Sequence, residues 1–235
     1  MPDTRSFLRR FRWPLAILGV VVLVAVVAPF VYINFIKSDP AERLSLDDVT
    51  TESTTGEEAE ATAGIEGTWT TTDDSVVQYR IREVLFGQDA EATGTADGVT
   101  GSVEIAGTEA TSAEVQVDMT TFESGESNRD DQFEGRIMET AQFPTATFSL
   151  TEPIDLGGEP ADGEEITVTA TGELTMHGVT QTITFDLTAR RSGSTFAANA
   201  TIPINFSDYE IDDPSGGPAQ VGDTGELELL LVFAQ

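Results

Sequence analysis

The sequence predicts an all-β domain, an antiparallel sheet of eight or nine strands closed into a barrel with one short helix, preceded by a single transmembrane helix. Three observations predict it. From about residue 65 onward apolar and polar residues alternate with period two, the pattern of an antiparallel sheet with one solvated face. One stretch, Ser127 to Phe148, breaks that pattern and spaces Phe133, Ile137 and Ala141 four apart with Met138 beside them, which is helical spacing. No strand–helix–strand repeat appears, which argues against a parallel sheet. Closing such a sheet removes its exposed edges, and eight strands leave an interior just able to hold one small apolar ligand.

Residues 1–13 are basic and polar, and residues 14–36 are apolar with Asn34 as the lone amide. At about 1.5 Å rise per residue that run covers a hydrocarbon core of about 30 Å. Arg5, Arg9, Arg10 and Arg12 flank it on the N-terminal side, so the positive-inside rule places the N-terminus in the cytoplasm and the remainder outside it. The rival is a cleaved signal peptide with Val26-Val27-Ala28 as its cleavage site. Pro29 directly after that site, and the apolar run beyond it, favour an uncleaved anchor. Residues 37–64 are rich in acids, Thr, Ser and Ala and hold no aromatic, so they are expected to form a disordered acidic stalk. Leu44, Leu46 and Val49 are the one apolar cluster in it.

The domain spans 65–235. Gly67-Thr68-Trp69 opens a short first strand, and Val77, Tyr79, Ile81 and Leu85 then share one face, with Gln78, Arg80 and Arg82 opposite. Gly98 to Ile105 and the stretch around Val115, Val117 and Met119 continue the alternation. In the helix, Ser127 is expected as the N-cap and Phe143-Pro144 as the stop, because proline disfavours the α conformation in the residue before it. Ala146, Phe148 and Leu150 resume the strand pattern. Two long strands follow, Ile166 to Met176 and Val179 to Ala189, joined at His177-Gly178, where glycine supplies a positive φ. Strands through Phe196 to Ile204 and Leu227 to Phe233 close the chain.

The formal net charge is −29, and residues 1–37 contribute +4 to it, so the rest of the chain carries −33. Such a surface repels nucleic acid and anionic headgroups. There is no cysteine, hence no disulfide, thiolate metal site or cysteine nucleophile. His177 is the single histidine, placed in a hairpin turn away from the helix–barrel seam, so a Ser-His-Asp arrangement has little to build on. The pairs Asp73-Asp74, Asp130-Asp131 and Asp212-Asp213 lack EF-hand spacing, and neither a metal site nor a cofactor is expected. Glu83 falls on the apolar face of its strand, where a carboxylate must be paired or shift its pKa. Arg129, at the start of the helix, is its expected partner, with Arg136 the second candidate. The interior is rich in aromatics and Met: Tyr79, Ile81, Met119, Phe122, Phe133, Ile137, Met138, Phe143, Phe148, Phe185 and Phe206 are the expected lining. It suits a long apolar ligand, and equally a dry packed core.

Three stretches together resemble the YceI-like family of lipid-binding barrel domains. Ser127-Asn128-Arg129-Asp130 leads through a short helix to Phe143-Pro144-Thr145-Ala146-Thr147-Phe148. Gly172-Glu173-Leu174-Thr175-Met176-His177-Gly178-Val179-Thr180 is similar to the family's hairpin, and Trp69 through Tyr79-Arg80-Ile81-Arg82-Glu83 to its opening strands. Gln132 stands where many members have a histidine. The resemblance implies an eight-stranded, lipocalin-like antiparallel barrel and a non-enzymatic role, holding a polyisoprenoid or similar amphipathic lipid outside the cytoplasmic membrane. Arg129, Asp130 and Glu83 would organise the mouth. Oligomeric state is left open. The competing reading is a solid-core module that acts through its acidic exterior and binds no lipid.

Overall fold

The structure, a computed structural model, describes residues 64–235, the segment 39–49, Lys37 and six helical residues between positions 21 and 31. The expected anchor at 14–36 and the middle of the expected stalk lie for the most part outside the described residues. Among the described residues no helix is long and apolar enough to cross a membrane.

Twelve strands form one antiparallel sheet that closes on itself. They are β1 (Gly67–Thr71), β2 (Val76–Leu85), β3 (Gln88–Ala96), β4 (Val99–Ala106), β5 (Glu109–Asp118), β6 (Thr145–Leu150), β7 (Ile154–Asp155), β8 (Glu165–Met176), β9 (Val179–Ser192), β10 (Thr195–Asn205), β11 (Ala219–Val221) and β12 (Thr224–Ala234). Two staves are broken. β1 and β2 both pair with β12 on one side, and with β4 and β3 respectively on the other. They make one stave kinked at residues 72–75, and β3 with β4 makes a second, kinked at Asp97-Gly98. The barrel therefore has eight staves, in the order β1/β2, β3/β4, β5, β6, β8, β9, β10, β12 and back to the first. β7 and β11 are short additions at stave ends.

Alternation explains why these residues make staves. In β8, Ile166, Val168, Ala170, Leu174 and Met176 turn inward, and threonines turn outward to meet those of β9: Thr171 with Thr184 at 3.1 Å and Thr175 with Thr180 at 2.7 Å. Rows of β-branched cross-strand pairs favour this register. The β8–β9 turn is two residues long, with φ of 52° at His177 and 78° at Gly178, the twist-matched hairpin geometry. At the far end Trp69 closes the barrel. Its ring meets Phe196 edge-on at 4.7 Å and its indole N–H donates to the Ile65 carbonyl at 2.9 Å.

The strand over Gln88–Ala96 was not expected. Its residues are small and polar, weak strand formers. Its place is dictated by its neighbour: a Cβ at Gly94 would sit 2.4 Å from the Tyr79 ring, which lies across it. The helix also differs. α1 (Ser127–Gln132) begins one residue earlier than expected, with Glu126 as N-cap and no side-chain cap bond. It widens into a π-turn over Phe133–Ile137 and stops at Met138. Glu139 then adopts the left-handed conformation (φ 46°), and the Gln142 and Phe143 amides bond back to its carbonyl at 2.7 and 2.9 Å. A left-handed residue ends a helix as firmly as Pro144 would, and it comes first.

Residues 39–49 do not behave as a stalk. They form a strap across the outer wall of β3, β2, β12, β10 and β9. Ser45 and Asp48 cap a short 3-10 turn reciprocally, and Leu46 is buried against Ala197, Leu230 and Val232. Beneath the strap lies a polar seat that the sequence pattern assigned to solvent. Gln78 and Glu228 are each 1 % exposed and Arg80 is 5 % exposed. The Glu228 carboxylate accepts from Arg80 Nε at 2.7 Å, Gln78 Nε2 at 2.8 Å and Arg43 of the strap at 2.6 Å. Arg80 also donates to the Ala41 carbonyl at 2.8 Å and to Glu91 at 3.0 Å, and Gln78 to the Glu42 carbonyl at 3.0 Å. A buried charge of either sign needs such a full set of partners. Further down, Asn199 donates to the Leu44 carbonyl at 2.9 Å, and Arg190 to the Leu46 carbonyl and the Asp47 carboxylate.

Candidate functional site

The barrel interior holds two adjoining chambers. The upper one, about 380 Å³, opens at the end where the β2–β3 turn, the helix and the β10–β12 connection come together. Tyr79 and Ile81 on β2, Phe133, Ile137 and Met138 on the helical segment, and Ile204, Phe206 and Ile211 at the end of β10 form its walls. The lower chamber, about 190 Å³, is lined by inward residues of β4, β5, β6, β8, β9, β10 and β12, including Val115, Phe148, Ile183, Phe185 and Leu229. Thr147 is the one polar side chain among its lining residues. Met119, Phe122, Met176 and Leu227 line both chambers and form the partition between them. Two of the four are methionines, whose flexible side chains yield more readily than branched ones.

An aromatic cluster positions the helix over the cavity. Tyr79 stacks on Phe133 at 5.3 Å and 14°, Phe122 lies 5.0 Å from Phe133 and 5.6 Å from Tyr79, and together the three rings join β2, the segment after β5 and the helix. Burial pushes the Tyr79 hydroxyl up to about 12, with the Arg129 charge acting against the rise and Asp130 adding to it. Asp130 does not line the cavity. It accepts from the Ser124 amide at 2.9 Å and the Ser124 hydroxyl at 2.5 Å, which fastens the first helical turn to the preceding loop.

Charged and amide residues line the upper chamber and not the lower one: Lys37, Glu83, Glu126, Asn128, Arg129, Gln132 and Glu226. Glu83 does point inward, but no ion pair joins it to Arg129. Its partner is Lys37, whose ammonium lies 2.7 Å from the Glu83 carboxylate and donates to the Glu91 carbonyl at 2.8 Å. Arg136 turns instead to the β10–β12 connection and donates to the Asp213 and Pro214 carbonyls, both at 3.0 Å. That holds residues 213–219, which have no strand periodicity, as the far wall of the mouth.

Of the expected lining residues, Tyr79, Ile81, Met119, Phe122, Phe133, Ile137, Met138 and Phe206 border the upper chamber, and Phe148 and Phe185 border the lower one. Phe143 does not line either chamber. It packs outside them against the β8–β9 turn, with its ring 4.7 Å from that of His177. His177 is thus at the helix–barrel seam after all. Its Nδ1 lies 3.1 Å from the Tyr209 carbonyl and its Nε2 lies 3.4 Å from the Glu139 carboxylate without hydrogen-bond geometry. Sequence reasoning missed Lys37, Phe86, Ile211, Val221 and the loop around Pro214 and Pro218. Lys37 and Phe86 lie outside any inward-facing register, and the loop residues belong to a segment without alternation. Among the described residues no group of three or more acidic, histidine or cysteine side chains could hold a metal ion.

Comparison with known proteins places this geometry. A polyisoprenoid-binding domain from Saccharophagus degradans, implicated in plant cell wall breakdown, superposes with a TM-score of 0.58 at 20 % identity, covering 71 % of this chain and 97 % of that one. Burkholderia cenocepacia BcnA superposes with a TM-score of 0.56 at 22 % identity, covering 69 % and 98 %. At these identities the likeness is one of fold. An UPF0312 protein of Pseudomonas putida is 30 % identical over 99 residues, 40 % of this chain, and the chain spans 46 % of that relative's length. The model of the YceI-like domain matches residues 69–233, from the tryptophan that closes the barrel to the end of its last stave, and the chain belongs to the YceI-like family.

Proposed function

We propose that the protein is a membrane-tethered, extracytoplasmic lipid-binding protein that sequesters or carries an isoprenoid-type amphipathic lipid in its barrel. The observation that carries this reading is the distribution of polarity along the cavity. Apart from Thr147 the deep chamber is lined by apolar residues, and charged and amide residues line the upper chamber alone. A ligand with an apolar chain and one polar end fits that gradient, the chain in the barrel and the head among Glu83, Arg129 and Gln132. Burying such a chain contributes about 0.8 kcal/mol per CH₂. The structural likeness to a polyisoprenoid-binding domain supports the lipid class. The basic residues before 14–36 and the apolar run itself support the tether and the location. We read the protein as a binder, not an enzyme: the His177 ring, the one imidazole of the chain, is turned to the Tyr209 carbonyl and does not line the cavity.

The test is native mass spectrometry of the full chain extracted from membranes in mild detergent. The reading expects a co-purified lipid adduct with the fragmentation of a prenyl chain, lost in Met176→Trp, which fills the partition between the chambers. Repeated absence of any adduct from the unmodified protein overturns it in favour of the solid-core module.

A further inference from the structure

We infer that the strap holds the barrel with its open mouth against the bilayer, so that a lipid passes between membrane and cavity without crossing water. This rests on the reading of residues 14–36 as a membrane anchor. Lys37 is the residue that follows that apolar run. It is locked at the mouth, its ammonium held by Glu83 and the Glu91 carbonyl and its side chain 6 % exposed. From there the strap runs away from the mouth. Ala41 bonds Thr93 at 2.9 Å, Arg43 meets Glu228, the Leu44 carbonyl meets Asn199 and Asp47 meets Arg190. Thr93 is paired with Arg80 near mid-wall, and Arg190 with Glu165 towards the opposite end.

The consequence is geometric. A flexible stalk of 27 residues would let the barrel wander about 30 Å from its anchor and turn freely. A strap pinned from Lys37 to Asp47 leaves no such slack between the end of the apolar run and the rim. The rim also presents apolar surface to what it faces: Phe86, at the β2–β3 turn, borders the upper chamber and is 46 % exposed, and Val84 beside it is 36 % exposed. With a net charge of −29 the chain has no general attraction to anionic headgroups. The orientation therefore comes from the splice at Lys37 and not from surface charge, and the facing partner is a lipid surface of net-neutral headgroups.

The chain has no cysteine, so single labels are clean. The full-length protein is reconstituted into phosphatidylcholine vesicles carrying a nitroxide on the headgroup. A fluorophore is attached at Gln88→Cys, exposed on the rim, or at Thr108→Cys, exposed on the β4–β5 turn at the opposite end. The inference expects the Gln88 label to lose most of its emission to the headgroup quencher and the Thr108 label to lose little. A flexible Gly-Ser insert of about 20 residues between Ile36 and Lys37, with an r.m.s. reach of about 25 Å, should abolish the difference while the strap stays docked. Co-flotation with the vesicles is measured on the same samples. Protein that floats with the vesicles but quenches equally at both positions, or more at Thr108, overturns the orientation and leaves the anchor standing. Protein that does not float overturns both.

Discussion

Glu228→Gln tests the seat beneath the strap with the smallest possible change. The carboxylate is 1 % exposed and accepts from Arg80, Arg43 and Gln78. A carboxamide keeps one acceptor oxygen, which the two guanidinium groups claim. Its NH₂ then points at Gln78 Nε2, donor against donor. Gln78 cannot flip cheaply, because its Oε1 accepts from Thr95 at 3.1 Å and its Nε2 donates to the Glu42 carbonyl. Arg80 keeps Glu91, at 3.0 Å and partly exposed, but loses the full charge beside its Nε. Breaking a buried pair from one side costs about 3–5 kcal/mol, and the donor clash leaves no route to the low end of that range. The measurement is urea unfolding of the full chain in detergent, followed by near-UV circular dichroism, with tryptic cleavage after Arg43 as the local reporter. The expected result is a lower midpoint together with faster cleavage at Arg43. Arg43→Ala, which removes a half-exposed partner together with the tryptic site, should cost only about 1 kcal/mol in the same unfolding measurement. An unchanged midpoint and an unchanged cleavage rate in Glu228→Gln would refute the reasoning.

Other outcomes follow from the same geometry. A double-mutant cycle of Lys37→Met with Glu83→Gln should show clear coupling, since both side chains are nearly buried, whereas Glu83→Gln with Arg129→Met should show none. Phe133→Ala removes the ring that Tyr79 and Phe122 pack on and should destabilise by about 3–5 kcal/mol in thermal unfolding. Tyr79 keeps its proton longer in the folded state, about 12 against 10, so its contribution is complete below pH 10 and declines by about 3 kcal/mol as pH rises towards 12. Tyr79→Phe should flatten that alkaline decline, while Tyr209, which burial also pushes up, contributes in the same direction. Gly94→Ala should weaken folding and displace the Tyr79 ring, read as a change in near-UV dichroism, because its Cβ would stand 2.4 Å from that ring.

The barrel was legible because its inner and outer faces differ at nearly every position of β5, β8, β9 and β10. Where the difference fails, so did the reading. In β12 the run Leu230-Leu231-Val232-Phe233 is apolar on both faces, a mark of a stave covered on both sides. That was the available sign that something lies on the outer wall. The composition of residues 37–64 hid what it was, because three apolar residues among acids look solvated until their docking seat exists. Tyr79, Phe122 and Phe133 could be assigned to the interior from register and spacing. Glu83 could be assigned inward, but its partner could not, since Lys37 lies 46 residues away and in no periodic element. Phe143 was misplaced because the helix ends at a left-handed glutamate, and no rule of composition marks Glu139 for that conformation.

The strap has a consequence for the order in which the molecule can be completed. Its seat is assembled from Gln78 and Arg80 near the start of the barrel and from Glu228, Leu230 and Val232 in the last stave. Arg43 and Glu228 stand 185 residues apart in the chain. An N-terminal segment that emerges first can therefore dock only after the final strand has formed, and loop-closure entropy makes so distant a contact a late one. Barrel closure and strap docking then fall together at the end of folding. A barrel left open at β12 would carry a loose strap, with Arg43 open to proteases and Leu46 unburied. The strap thus reports on the completeness of the staves it covers.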